Sequence, residues 1–258
     1  MAFSNRAVGF FWRRMRLIAV ICLAAGALAA APPDTFTTSA GPVTITPIYH
    51  ASLTLAANGK LIYVDPSPAE RFAHRAKADL ILITHTHADH FDKGAISELH
   101  KKDTSIIAPA AVAKQLRGVH VLKNGQQTTW DGWKIQAVPM YNVKRGPGPE
   151  VLYHPKAWGN GYVLTYGGKR FYIAGDTENT PEMRSLKDID VAFVPMNLPF
   201  TMTPDEAAAA VRAFHPKVVY PYHYRNGDGT LANIKKFKAD LAGTGIDVRL
   251  RNWYPPLN

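Results

Sequence analysis

A chain of 258 residues, 47% of them hydrophobic, is long enough for one large domain with a substantial core. Its 30 Lys and Arg against 20 Asp and Glu give a formal charge of +10, but no Lys/Arg block stands out. That pattern excludes a typical nucleic-acid binder and leaves a modest attraction for anionic substrates or anionic envelope surfaces. The single cysteine, Cys22, excludes a disulfide framework, so any metal must be held by His, Asp or Glu.

Residues 1–29 read as a secretory signal peptide. Arg13, Arg14 and Arg16 form the basic region, Leu17 to Ala25 an apolar core too short to span a bilayer comfortably, and Ala27-Leu28-Ala29 a small-x-small cleavage site. A retained anchor is the alternative. Arg13-Arg14 matches twin-arginine export poorly, and Ile21 before Cys22 does not fit a lipoprotein signal. Cleavage removes Cys22 together with Arg6, Arg13, Arg14 and Arg16, and leaves no stable membrane span. The implied destination is the periplasm or the outside of the cell.

Residues 30–42, rich in Pro and Thr, read as a loose lead-in, and one domain is expected over 43–258. Val43 to Tyr49 alternates as a strand does. Ser52 to Ala56 and Lys60 to Val64 form a hairpin across Asn58-Gly59. After Asp65-Pro66 come a loop and a short helix around Ala69 to Ala76. Leu80 to Ile83 is short, branched and free of charge, so it reads as a buried strand. Gly94 to Lys102 is a predicted helix, Ser105 to Ala108 a strand, and Ala110 to Leu116 a helix. Short strands follow over Val119 to Val138, turning at Asn124-Gly125 and Asp131-Gly132.

Met140 to Asn160 is rich in Pro and Gly and has no period; a loop of that length is usually functional or disordered. Gly161 to Tyr166 and Lys169 to Ala174 form a second hairpin. A short helix, Pro181 to Leu186, and a strand, Val191 to Val194, come next. Thr203-Pro204-Asp205-Glu206 opens a helix that runs to Phe214, with Thr203 as cap and Glu206 completing a capping box. A strand at Val218 to Tyr220, a helix from about Leu231 to Leu241 and a strand at Ile246 to Leu250 close the chain. Asn58 to Asp65 is weakly repeated as Gly167 to Asp176, each followed by a short helix and an apolar strand. Two similar halves predict two sheets face to face with helices outside, an α/β layered domain.

The chemistry concentrates where the Leu80–Ile83 strand ends, in His85-Thr86-His87-Ala88-Asp89-His90. In an extended segment alternate side chains share a face, so His85 and His87 can meet one cation. Asp89 and His90 can offer an oxygen and a nitrogen to a second. Imidazole with carboxylate suits zinc or another borderline divalent metal. A histidine-rich surface turn is the plain alternative, which three histidines and an aspartate at the end of a buried strand disfavour. His74, His100, His120 and His215 stand apart from any cluster and read as surface residues.

His-x-His-x-Asp-His resembles the signature of the metallo-β-lactamase superfamily. Gly175-Asp176-Thr177 and Tyr222-His223-Tyr224 extend the resemblance over most of the chain after the leader. It implies the four-layer αββα sandwich, with the site along one edge between the sheets. It also implies that His85, His87 and His154 hold one metal, that Asp89, His90 and His223 hold another, and that Asp176 bridges them. The expected cofactor is Zn2+, two per chain, with Mn2+ or Fe2+ as alternatives.

Asp65 reads either as a carboxylate orienting a ligand histidine or as a turn residue before Pro66. His50 faces the site or simply ends a strand. Tyr141, Asn142, Lys144, Arg145 and Trp158, in the loop of His154, are candidates for substrate contact. The reaction expected is attack by a metal-bridging hydroxide on an ester, lactone, amide or phosphodiester, with Asp89 orienting the nucleophile. No Gly-x-Ser-x-Gly elbow offers a serine nucleophile.

Gly-Asp-Thr-Glu, Met202-Thr203-Pro204-Asp205-Glu206-Ala207 and Pro221-Tyr222-His223-Tyr224 resemble a branch related to the ascorbate-6-phosphate lactonase and N-acyl-phosphatidylethanolamine phospholipase D groups. That likeness implies a small-molecule or lipid-like substrate, and the spacing between the metal motif and the later ligands leaves no room for the inserted domain of nucleic-acid-processing relatives, so no nucleic acid is expected. An iron-dependent redox protein or a catalytically silent metal-binding protein on the same fold is the alternative.

Overall fold

The computed structural model describes residues 1–2 and 33–257. The expected signal peptide, beyond its first two residues, lies outside the described residues. None of the described helices is long and apolar enough to cross a membrane.

Two seven-stranded mixed sheets pack face to face. The first takes β1 (Asp34–Thr38), β2 (Gly41–Tyr49), β3 (Ser52–Ala57), β4 (Lys60–Val64), β5 (Leu80–Leu82), β6 (Ser105–Ala108) and β7 (Val119–Val121), in that order. The second takes β8 (Gln127–Trp130), β9 (Trp133–Met140), β10 (Gly159–Tyr166), β11 (Lys169–Ile173), β12 (Val191–Pro195), β13 (Val218–Tyr222) and β14 (Asp247–Val248). The halves have the same ladder: antiparallel up to the fourth strand, parallel from the fourth to the seventh. The weak sequence repeat is therefore a structural one.

Alternation along the strands makes the layers. In β4 and β5, Ile62, Val64, Leu80 and Leu82 join the core between the sheets, while Tyr63 and Ile81 face the other way. That outer face is covered by α1 (Lys93–Leu99) through Ala95, Ile96 and Leu99. The second sheet is covered by α4 (Pro204–Phe214), whose Phe214 meets Tyr172 of β11 edge-on at 5.8 Å. Short helices α2 (Ala110–Ala113), α3 (Pro181–Arg184) and α5 (Ile234–Asp240) complete the αββα sandwich. The capping box on α4 forms as read: Thr203 Oγ1 accepts from Glu206 N–H, and Glu206 Oε2 accepts from Thr203 N–H.

Two expectations are corrected. Where a loose lead-in is expected, Asp34–Thr38 is an edge strand on β2. Phe36 packs edge-on against Phe171 at 6.1 Å, and Asp34 pairs with Arg249 at 3.1 Å and Arg251 at 2.8 Å. The partners that order this segment lie at the far end of the chain. The helix expected over 69–76 is only a 3-10 turn, Ala69–Arg71, because Asp92 Oδ2 accepts from Ala69 N–H and ties the loop to the start of α1.

The parallel strands β4, β5, β11, β12 and β13 deliver their C-terminal ends to one edge of the sandwich, the usual place for a site in sheets of this kind. Asp65, the His85–His90 segment, Asp176 and His223 all follow such ends.

Candidate metal centre

Each expected ligand arrives there for a local reason. Asp65 follows β4 in the left-handed conformation, with its N–H on Leu82 carbonyl. The His85–His90 turn is closed by hydrogen bonds from His90 N–H and Phe91 N–H to His87 carbonyl, and Ser67 Oγ donates to Ala88 carbonyl at 2.6 Å. Asp176 stands two residues beyond the strand-end position that Asp65 occupies in the other half. There, Ala174 N–H bonds Phe193 carbonyl as Asp65 N–H bonds Leu82 carbonyl. One strand end thus yields a fully buried carboxylate behind the site and its counterpart yields one in the middle.

The turn that makes this offset needs Gly175. It has φ +65°, and an added Cβ would meet Met140 Sδ at 2.6 Å. Gly175→Ala is expected to cost about 1–3 kcal/mol of stability, measured by denaturant unfolding.

Two groups of nitrogen and oxygen atoms converge. In one, His85 Nε2 lies 3.1 Å from His87 Nδ1, which lies 3.2 Å from His154 Nε2, and Asp176 Oδ2 is 3.4 Å from His154 Nε2. In the other, His90 Nε2 and His223 Nε2 are 3.0 Å apart, with Asp176 Oδ1 at 3.3 and 3.4 Å and Asp89 Oδ2 at 3.8 and 3.2 Å. The seven residues expected as ligands are all brought together, and Asp176 turns one oxygen to each group.

The hydrogen bonds behind the rings fix what those nitrogens offer. Thr84 Oγ1 donates to Asp65 Oδ2 at 2.7 Å, so it accepts from His85 Nδ1–H at 3.0 Å. His90 Nδ1–H donates to Asp65 Oδ2 at 2.8 Å. Asn142 Nδ2 donates to Phe200 carbonyl, which turns Oδ1 toward His154 Nδ1–H. Three imidazoles therefore turn Nε2 to the interior, with Nδ1–H engaged behind. Asp176 Oδ1 is buried without a hydrogen bond. The donor set, all nitrogen and carboxylate oxygen, fits two divalent cations of the zinc, manganese or iron type.

Burial holds the His85 imidazole well below its ordinary range, aided by the neighbouring His90. Burial also opposes charge on His90, but Asp176, Asp89 and Asp65 outweigh it and raise its pKa. The Asp176 carboxylate is held far below its usual range despite burial, by His223 and His90.

His50 stands beside the second group. Tyr254 Oη accepts from Arg225 N–H and leaves its own proton for His50 Nδ1 at 2.9 Å, so His50 Nε2–H donates to Asp89 Oδ2 at 3.1 Å. Burial and the nearby His223 push this imidazole down to about 4, against the pull of Asp89. Asp65 and Asn142 brace His90 and His154, as just described.

Tyr141 does not face the site. Its hydroxyl donates to Glu182 Oε2 at 2.8 Å and Lys156 lies over its ring. Lys144 and Arg145 are also turned away, paired with Glu206 and with both Glu178 and Glu206 respectively. Trp158 packs on His85 and His87, with ring centroids 5.5 and 4.9 Å apart. His74, His100, His120 and His215 are exposed, as read.

Sequence reasoning missed Thr84, Tyr254 and the role of Glu178. Buried Glu178 accepts from the N–H groups of Val143 and Lys144 and pins the His154 loop. Only its place in Gly-Asp-Thr-Glu singled it out. The site opens into a cleft of about 440 Å³, lined in part by Tyr153, Asn197, Phe200 and Arg225.

The model of a beta-lactamase superfamily domain matches residues 44–223. A UPF0173 metal-dependent hydrolase of Anoxybacillus flavithermus is 30% identical over 213 residues, covering 78% of this chain and 94% of its own. Among solved structures, a metal-dependent hydrolase from Parabacteroides distasonis is 48% identical, with TM-score 0.77, over 86% of this chain and 98% of that one. CmlA, a diiron β-hydroxylase from Streptomyces venezuelae, is 16% identical with TM-score 0.64 over 85% of this chain and 53% of that one. At that identity it shares the fold alone.

Proposed function

The chain belongs to the metallo-β-lactamase superfamily and is a metal-dependent hydrolase of that group; on this basis we propose that it is an exported hydrolase with two zinc ions, cleaving an ester, lactone, amide or phosphodiester in a small-molecule or lipid-like substrate. The observation that carries the reading is the pair of nitrogen–oxygen clusters that share Asp176, with the outward Nδ1–H groups of His85, His90 and His154 already engaged. When bound, such a metal pair supplies Lewis acidity and an activated water.

The chain's own residues do the rest. His85, His87 and His154 would hold one cation, and His90, His223 and Asp89 the other. Asp176 reaches both. Asp89, about half exposed to the cleft, orients the nucleophile while His50 fixes the carboxylate from behind. Asp65, Thr84 and Asn142 keep the rings in one tautomer and one orientation. Export is supported by the basic, apolar and small-residue segments over residues 13–29.

The test is metal content of the purified protein, together with turnover on an ester, lactone, amide, phosphodiester and β-lactam panel. About two zinc ions per chain with turnover on one class is the expected result. Iron with dioxygen consumption and no hydrolysis would replace this reading with a redox one. One metal or none after loading with excess zinc would remove the dinuclear assignment. Asn142→Ala is expected to leave the fold intact and weaken metal binding about 10- to 100-fold, read by chelator competition.

A further inference from the structure

One cation at the cleft has no counter-ion. Arg225 follows β13 two residues after His223, and its guanidinium lies 4.2 Å over the Tyr254 ring. Its Nη1 donates to Tyr49 Oη at 3.2 Å, and its Nε is buried without a hydrogen-bond partner. No carboxylate pairs with it among the described residues, whereas Arg145, Arg249 and Arg251 each have one. Arg225 lines the metal cleft and also an adjoining cavity of about 330 Å³ floored by Tyr49, Ser67 and Pro68.

Beside it, Asn197 lines the same cleft; its neighbours Met196 and Leu198 donate their N–H groups to His223 carbonyl and Asn226 Oδ1. Thr201 Oγ1 donates to Asn197 Oδ1, which leaves the Nδ2 donors without a partner among the described residues. The cleft also has an aromatic wall, Tyr153 and Phe200 meeting edge-on at 5.1 Å. A fixed, partly desolvated guanidinium with unused donors suits a carboxylate or phosphate oxygen. It is costly to keep without one.

We propose that Arg225, with Asn197, forms an oxyanion-binding subsite, so that the substrate carries a carboxylate or phosphate beside its scissile bond and an apolar segment along Tyr153 and Phe200. This rests on the hydrolase reading for the position of the scissile bond, but not for the anion itself. The two anions share the chemistry that Arg225 recognises and are separated in the test.

The metal-loaded full chain and its Arg225→Gln variant are assayed on 4-nitrophenyl hemisuccinate and 4-nitrophenyl butyrate, matched in length and differing in the terminal carboxylate. The wild type is expected to favour the hemisuccinate about 10- to 100-fold in kcat/KM, the worth of one charge-assisted contact, with the difference in KM. In Arg225→Gln the ratio falls toward one. Asn197→Asp, which keeps the bond from Thr201, removes the Nδ2 donors and sets a negative charge in the subsite, and so also lowers the ratio. A ratio unchanged in both variants, or a wild type that favours butyrate, overturns the proposal.

If neither ester is turned over, the ester-hydrolase reading fails, and calorimetric titration with succinamate and with methyl phosphate decides the subsite. Binding at least tenfold weaker in Arg225→Gln, at equal metal content, supports it and names the favoured anion. Equal binding to both proteins overturns it.

Discussion

Asp176→Asn is expected to lower kcat about 1,000-fold and to reduce the bound metal per chain, while the circular-dichroism spectrum stays that of a folded protein. The substitution keeps the shape and removes the negative charge. Asp176 Oδ2 sits 3.4 Å from His154 Nε2 and Oδ1 sits 3.3 Å from His90 Nε2, so its carboxylate reaches both clusters. An amide offers one oxygen and one NH2 group, and the NH2 would take the place of a carboxylate oxygen in one cluster or the other. Both cations are then less well held, and the site loses the charge that balances them. Turnover within tenfold of wild type, at unchanged metal content, would show that the two clusters act independently and would remove Asp176 from the mechanism. The measurement pairs steady-state kinetics with metal analysis on the same preparation, so that weak binding and poor chemistry are told apart.

Trp253→Ala is expected to cost about 3–5 kcal/mol of stability, the largest loss from any single truncation discussed for this core. The ring is fully buried, with centroids 5.6 Å from Tyr222 and 6.2 Å from Phe193. It closes the second sheet beneath the C-terminal segment. Its backbone carbonyl also accepts from His50 N–H at 2.9 Å. The indole Nε1–H is buried without a partner, so Trp253→Phe removes an unsatisfied donor along with some volume and should cost clearly less than Trp253→Ala. Urea unfolding of the three proteins checks both statements. Equal losses for Phe and Ala would mean that ring volume is not what Trp253 contributes.

The strands were readable because their signals are local. Period-two alternation in Ile62-Tyr63-Val64 and the Asn58-Gly59 turn depend on neighbouring residues only, and so does the capping box of Thr203 and Glu206. The seven converging residues were readable for a different reason: short motifs at strand ends resemble those of a known family. What escaped were pairings across long sequence separations. Asp34 is ordered by Arg249 and Arg251, and His50 is oriented by Tyr254 at the other end of the chain. Thr84 carries no signal of its own, since a threonine after an apolar run is common. Tyr141 and Asn142 are adjacent in a loop without a period, so nothing in the sequence decides which side chain turns inward. Asn142 does, and Tyr141 reaches Glu182 instead.

The matched ladders of the two sheets have a consequence for how the molecule is held closed. Nearly every strand pairs with its neighbour in sequence, so each half can form its own hydrogen-bond network without the other. The centre, however, draws His85, His87, Asp89 and His90 from the first half and His154, Asp176 and His223 from the second. Cations seated there would act as a clasp across the seam, tightest when the halves are docked. By thermodynamic linkage, whatever tightens the clasp also opposes separation of the sheets, at about 2.7 kcal/mol when free metal is a hundredfold above its dissociation constant. A protein with no cysteine beyond residue 22 would thus use its reactive centre for the kind of fastening that disulfides supply elsewhere.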